Sequence, residues 1–201
     1  MSDGAYRSNV TMPTRGDQTH QVRVARLVHV AAPLLLRVND SIGWPLDLHV
    51  HHQGRMQIIE STCTISPFGF NYPYRPELEL NIFAAASGLC YLSMLSDERV
   101  AKLIDALRDQ ELWALARYRI SPQRLFDELA VVRQNGYARR LVNQTDQTGF
   151  HAIAAPILSG KRGFGAVSIR WPRSYLSIAR FAERHAEELI SLAKGISANF
   201  G

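Results

Sequence analysis

Cysteine is scarce in this chain: Cys63 and Cys90 are the only two among 201 residues. They show no C-x-x-C spacing, and no further pair is present to complete a zinc site, which excludes a zinc ribbon and a disulfide framework. The two thiols read as reduced, partly buried core residues, or as a redox couple if the fold joins them. Lysine is equally sparse: Lys102, Lys161 and Lys194 are the only lysines among 23 basic residues. The arginines are scattered, with no polybasic block. A net charge of +5 distributed in this way suits an anionic ligand or a nearby nucleic acid and selects neither. No apolar run approaches the roughly 20 residues needed to span a bilayer, and Met1 to Gly16 lacks the apolar stretch of a secretory signal. A soluble, cytoplasmic protein with no membrane partner is expected.

Catalytic signatures are missing as well. There is no phosphate loop, dinucleotide fingerprint, H-E-x-x-H helix or G-x-S-x-G elbow. Ser87-Gly88 falls in a helical pattern, without the strand-to-helix turn that exposes a nucleophile. The expectation is a domain that binds a small molecule without transforming it: no enzyme, no cofactor and no metal.

What is present is ordinary globular material, 46% apolar and 20% charged, sufficient for one domain with a sizeable core. A helical pattern starts at Asp17. Pro33 predicts a kink or a fresh helix start near Ala31, and Gly43 offers a left-handed cap. Asp47 to His51 then alternates, Gln53-Gly54 turns, and Met56 to Thr62 returns, which reads as a hairpin. From Ser66 to Glu79, three prolines and four interleaved aromatics (Phe68, Phe70, Tyr72, Tyr74) predict a long loop, either packing over the sheet edge or covering an apolar ligand. Helices are predicted over Leu80 to Leu95, over Asp97 to Gln110 with Ser96 as N-cap, and from Ser121-Pro122 to Gln134 with Asn135-Gly136 as terminator. A second hairpin follows, His151 to Leu158 and Gly165 to Trp171, and then an amphipathic helix over Tyr175 to Ala198. Two hairpins with helices between and after them predict an α/β domain of the α+β type: an antiparallel sheet covered by helices, closed by a long C-terminal helix.

His49 and His51 share one face of the first strand. They form a metal pair or, as the favoured reading, a solvent-facing or interface pair.

Leu125 to Tyr137, with its Arg133-Gln134-Asn135-Gly136-Tyr137 ending, and Gly149 to Ile157, with Ala154-Ala155-Pro156-Ile157, resemble the effector-binding domain of IclR-type transcription regulators. Ala84 to Ser93 resembles that family's "TAxGxxxLA" stretch, and Ala193 to Gly201 its closing helix. The likeness covers about Val30 to Gly201. Ile42 to Asp47 is most similar to the branch that regulates catabolism of aromatic acids. The resemblance implies a GAF/PAS-like fold, a homodimer or homotetramer, and a winged helix-turn-helix ahead of the domain. On that basis residues 1–16 resemble a remnant of the wing, 17–30 the linker helix and 31–201 the effector domain. No helix-turn-helix fits before residue 17, so the chain reads as a fragment. Operator DNA would be bound only through the missing module, and little specific binding is expected from the chain alone.

The resemblance also implies a ligand pocket lined by Phe83, Ala86, Ser87, Phe150, Ala152, Ser168 and Arg170. Period-two geometry independently puts Ala152 and Ala154 on one strand face, and Ser168 and Arg170 together on another. An arginine in an apolar strand needs a carboxylate partner, either a ligand's or a protein group such as Glu60. The sequence departs from the family pattern at Phe83, where many members carry histidine, and at Leu89, where many carry lysine. The segment between Tyr137 and Gly149 is longer than usual, so the family's acidic pocket residue has no assigned position. Phe83, Phe150 and an arginine favour a flat aromatic acid over a small oxoacid. Two alternatives stand beside this reading: a free-standing GAF-like sensor, and a thiol-dependent enzyme using Cys63 or Cys90.

Overall fold

The computed structural model describes residues 15–69, 78–141 and 149–201. The wing remnant lies outside the described residues except for residues 15 and 16, which begin the first helix. Phe70, Tyr72 and Tyr74 of the aromatic loop also lie outside them, as do residues 142–148 of the segment between Tyr137 and Gly149.

Apolar residues three and four apart line helix α1 (Arg15–Ile42) along the side that holds Leu27, Ala31 and Leu35, all essentially inaccessible. The helix passes unbroken through Pro33, so no fresh start occurs near Ala31. Proline forfeits one backbone bond, but Leu27, Ala31 and Leu35 on either side of it are held in the core, and the helix continues through it. The boundary drawn at residues 30 and 31 therefore falls inside one helix. Gly43 ends it at φ 72°, and its N–H donates to the Asn39 carbonyl at 2.7 Å.

Strands β1 (Leu46–His52) and β2 (Arg55–Ser61) form the first hairpin, turned by Gln53 and Gly54 at φ 46° and 80°. Both turn residues have positive φ, as a two-residue turn matched to strand twist requires. β5 (Phe150–Ser159) and β6 (Arg162–Pro172) form the second. The two hairpins join through β1 and β6, antiparallel, with Asp47 opposite Ser168 and His49 opposite Ala166. β3 (Glu79–Asn81) and β4 (Ala138–Arg139) add the edges of one six-stranded sheet, ordered β3-β2-β1-β6-β5-β4.

Neither edge strand is anticipated by the sequence pattern. The helix expected over Leu80 to Leu95 is shorter for that reason. Leu80 pairs with Met56, the Asn81 side-chain oxygen accepts from the Phe83 N–H at 2.9 Å, and helix α2 spans only Ala86–Ser93. An asparagine that satisfies a backbone donor two residues on competes with helix formation. α3 (Asp97–Ala106) has Ser96 at its N-cap position, although that side chain makes no capping bond. α4 (Pro122–Asn135) is capped by Ser121, whose hydroxyl accepts from the Arg124 N–H, and it ends at Gly136 with φ 75°. α5 (Ile178–Phe200) closes the chain.

The sheet separates two cores. Leu46, Leu48 and Val50 of β1, with Val167, Ile169 and Trp171 of β6, pack against α1 and α5. Trp171 stacks on Phe181 of α5 with ring centroids 3.6 Å apart. On the other face Met56, Ala154 and Ala166 meet Leu89, Cys90 and Leu92 of α2 and Leu125 and Leu129 of α4. The family-implied site lies on this second face.

Candidate functional site

Alternation along β1 and β6 turns Asp47 and His49 toward the α2 side, together with Ser168 and Arg170. All four are buried, Arg170 least so at 8%. Arg170 Nε lies 3.4 Å from Asp47 Oδ2. The Ser61 hydroxyl donates to Asp47 Oδ1 at 2.5 Å. His49 Nε2 and Ser168 Oγ are 2.8 Å apart. Four strand positions thus build one continuous polar row on an otherwise apolar face.

The protein carboxylate beside Arg170 is Asp47, not Glu60, the example given for that alternative. Register decides between them. Asp47 opposes Ser168, one face position from Arg170, whereas Glu60 opposes Leu48, a member of the core on the opposite face. Glu60 instead accepts from the Ser61 N–H at 2.9 Å.

His49 is likewise not solvent-facing: it is 2% exposed. Burial, the largest influence, brings its pKa down from 6.5 to about 4; Asp47 pulls it upward and Arg170 downward. The ring is therefore neutral at pH 7. Its Nδ1 has no hydrogen-bond partner among the described residues. His51 is half-buried, accepts from the Gly54 N–H at Nε2 over 3.2 Å, and stacks on Tyr91 at 4.3 Å. Among the described residues no group of three or more His, Cys, Asp or Glu is arranged to hold a metal ion.

The remaining family-implied residues belong to the α2 side of the sheet. Ala152 is the cross-strand partner of Arg170, and Ala154 of Ser168. Phe83 and Ala86 belong to the same core as Ala154, with Ala152 packed against it. Phe150 pairs with Pro172 at the strand end and is half-buried. Ser87 is 2% exposed, and its hydroxyl has no partner among the described residues. Gly88 admits this close seating: a Cβ there would lie 2.2 Å from the Ile82 carbonyl oxygen. Asp47 and Ser61 were not singled out from the sequence, and His49 only as one of a possible metal or interface pair with His51. The alternation of β1 puts Asp47 and His49 on one face, but only the pairing of β1 with β6 brings them to Arg170.

Both cysteines are buried and neither forms a disulfide. Cys90 is wholly enclosed, its Sγ donates to the Ala154 carbonyl at 3.0 Å, and burial pushes its pKa up to about 12. A separate cleft of about 430 Å³ opens between the end of α4, β5 and α5, with Arg133, Gly136, Pro156 and Lys194 on its walls. It shares no residue with the polar row.

An antiparallel sheet with a helix-covered polar row on one face and a long C-terminal helix on the other makes an α+β domain. A family profile described as "Bacterial transcriptional regulator IclR C-terminal" matches residues 19–198. The chain belongs to the IclR family of transcriptional regulators, and it corresponds to the family's C-terminal domain. It is 28% identical over 179 residues to the acetate operon repressor of Salmonella typhimurium, covering 87% of this chain and 62% of that protein. The chain thus spans about three-fifths of that relative's length. Its fold is similar to the Thermotoga maritima IclR (TM-score 0.75, 19% identity, covering 92% of this chain and 73% of that one). It is also similar to the C-terminal domain of the Escherichia coli regulator KdgR (TM-score 0.69, 19% identity, covering 88% and 99%). None of the described helices is long and apolar enough to cross a membrane.

Proposed function

We propose that this chain is the ligand-sensing part of an IclR-type regulator and takes a small aromatic carboxylate beside Arg170. The observation that carries the reading is the pairing of Ser168 and Arg170 on the α2-facing side of β6. There a guanidinium and a hydroxyl stand opposite Ala152 and Ala154 of β5, on the side of the sheet whose core includes Phe83 and Ala86. A guanidinium fork matches a carboxylate, and the apolar surroundings suit a flat ring. Phe150 and Ser87 complete the lining. The family's regulators act on DNA, and the binding step fits linkage: a ligand that prefers one arrangement of paired domains, in a dimer or tetramer, shifts the spacing of DNA-binding modules. Residues 17–30 serve in this reading as the linker toward such a module. A binding role also fits Cys90 better than thiol chemistry does, because a thiol with a pKa of about 12 is a poor nucleophile near neutrality.

The test is a thermal-shift and calorimetric screen with benzoate, phenylacetate and pyruvate. Benzoate or phenylacetate is expected to raise the melting temperature, and Arg170→Lys, which keeps the charge and loses the fork, to weaken binding at least tenfold. The reading is overturned if no acid binds. It is equally overturned if binding survives Arg170→Lys and disappears on Lys194→Ala, which would put the ligand in the other cleft.

A further inference from the structure

Arg170 already has a carboxylate. A second one, brought by an acid ligand, makes two carboxylates around one guanidinium in a buried site, which leaves one negative charge uncompensated. The chain's own means of compensation is His49. Its Nε2 is tied to Ser168 Oγ, the hydroxyl next to Arg170 on the same strand face, while Nδ1 is buried without a partner among the described residues. An unpaired buried ring nitrogen is costly unless something docks against it.

We propose that His49 is a further ligand-contacting residue, and that an acid docking between Arg170 and His49 is accompanied by uptake of one proton from solvent onto the His49 ring. The proton goes to the imidazole, the ligand stays a carboxylate, and no bond other than the N–H forms. This proposal rests on the carboxylate reading above.

The surroundings allow it. On β1 the neighbours on the same face are Asp47 and His51. On β6 they are Ala166, directly opposite, then Ser168 and Arg170. On β2 Ile58 stands opposite, while Glu60 is registered with Leu48 and Arg55 is held by Glu79. On α2, Ser87 and Cys90 are buried and Tyr91 stacks on His51. α1 packs on the far face. Asp47 and Arg170 are thus the near charges, and they oppose each other. A new carboxylate about 4 Å from the ring, at an effective dielectric near 20, favours the imidazolium by roughly a thousandfold. That moves half-protonation from about pH 4 to about pH 7.

Calorimetric titration with benzoate, in buffers of differing ionisation enthalpy, counts the protons. Uptake close to one per ligand is expected at pH 6, with the dissociation constant rising about tenfold from pH 5.5 to 6.5. His49→Gln should abolish the uptake, and benzamide, carrying no charge, should bind without it. Nitrogen-15 spectra of the wild-type protein provide a measurement independent of any variant: His49 should pass from a neutral tautomer to imidazolium on addition of benzoate. Benzoate binding with no proton uptake at pH 6 overturns this proposal and leaves the carboxylate reading intact. Uptake that persists in His49→Gln also overturns it, since the ligand itself then carries the proton. Failure of every acid to bind overturns both.

Discussion

Asp47 of β1 and Arg170 of β6 pair across neighbouring strands, Nε to Oδ2 at 3.4 Å, with side chains only 4% and 10% exposed. The Ser61 hydroxyl completes the Asp47 carboxylate from the next strand. An ion pair this enclosed is weak support for stability when intact, because desolvation offsets its attraction, but removing one partner leaves an uncompensated charge. Arg170→Ala is therefore expected to cost about 3–5 kcal/mol in urea-unfolding free energy. Asp47→Asn combined with Arg170→Gln should cost clearly less than that single change. A double variant as unstable as the sum of its two singles would show that the two groups do not act as a pair.

Two glycines give the sheet and α2 their close contacts. A Cβ on Gly165 would lie 2.2 Å from the His49 carbonyl oxygen, and one on Gly88 the same distance from that of Ile82. Both obstacles are backbone, which cannot rotate aside. Each alanine substitution should destabilise by at least the about 1–3 kcal/mol typical of overpacking. Gly149→Ala offers a contrast, since a Cβ there meets nothing within 4 Å but the residue sits at φ 70°. Its cost should be conformational alone, about 1 kcal/mol. Equal unfolding midpoints for Gly165→Ala and Gly149→Ala would contradict this.

Burial drives the His49 and His51 pKa values down to about 4. A group with a folded pKa below its unfolded value near 6.5 releases protons on folding, so acid favours the unfolded chain. Stability should fall as pH drops from about 6.5 and level off, for these groups, below about 4. For the fully buried His49 the loss is on the order of 3 kcal/mol, from 2.5 pH units at about 1.4 kcal/mol each. His51 keeps some solvent contact and should contribute less. Urea unfolding at pH 7 and pH 5 should give a smaller difference for His49→Gln than for the wild type; an unchanged difference would remove His49 as the cause.

Cys90, enclosed and with its thiol pKa at about 12, should resist alkylation by iodoacetamide at pH 8 in the native protein and react on unfolding. Peptide mass analysis locates the label. Rapid native labelling of Cys90 would reopen thiol chemistry as a function.

Much of the fold was legible because it depends on local rules. Gln53-Gly54 supplies one hairpin turn and Ser159 to Gly163 contains the other, although β6 starts already at Arg162; Ser121 and Gly136 bound α4, and the helical spacing of Phe181, Leu189 and Ile196 marks the buried stripe of α5. The illegible parts were those where a neighbour overrides local preference. Leu80 has a helical pattern around it, yet it is claimed as a strand residue by pairing with Met56. Pro33 signals a break, yet burial of the residues on either side carries α1 through it.

The site divides in the same way. Alternation alone puts Ser168 and Arg170 on one face of one strand and Asp47 and His49 on one face of another, because successive side chains in a strand point to opposite sides. The need of Arg170 for a carboxylate also follows from chemistry that the residue type carries with it. Which carboxylate answers that need is a question of register. Glu60 and Asp47 are equally acidic in the sequence, and only the joining of β1 to β6, with Asp47 opposite Ser168, puts one beside Arg170 and leaves the other with Leu48. Pairing between strands more than a hundred residues apart depends on the whole sheet assembling at once, so it belongs to the tertiary structure.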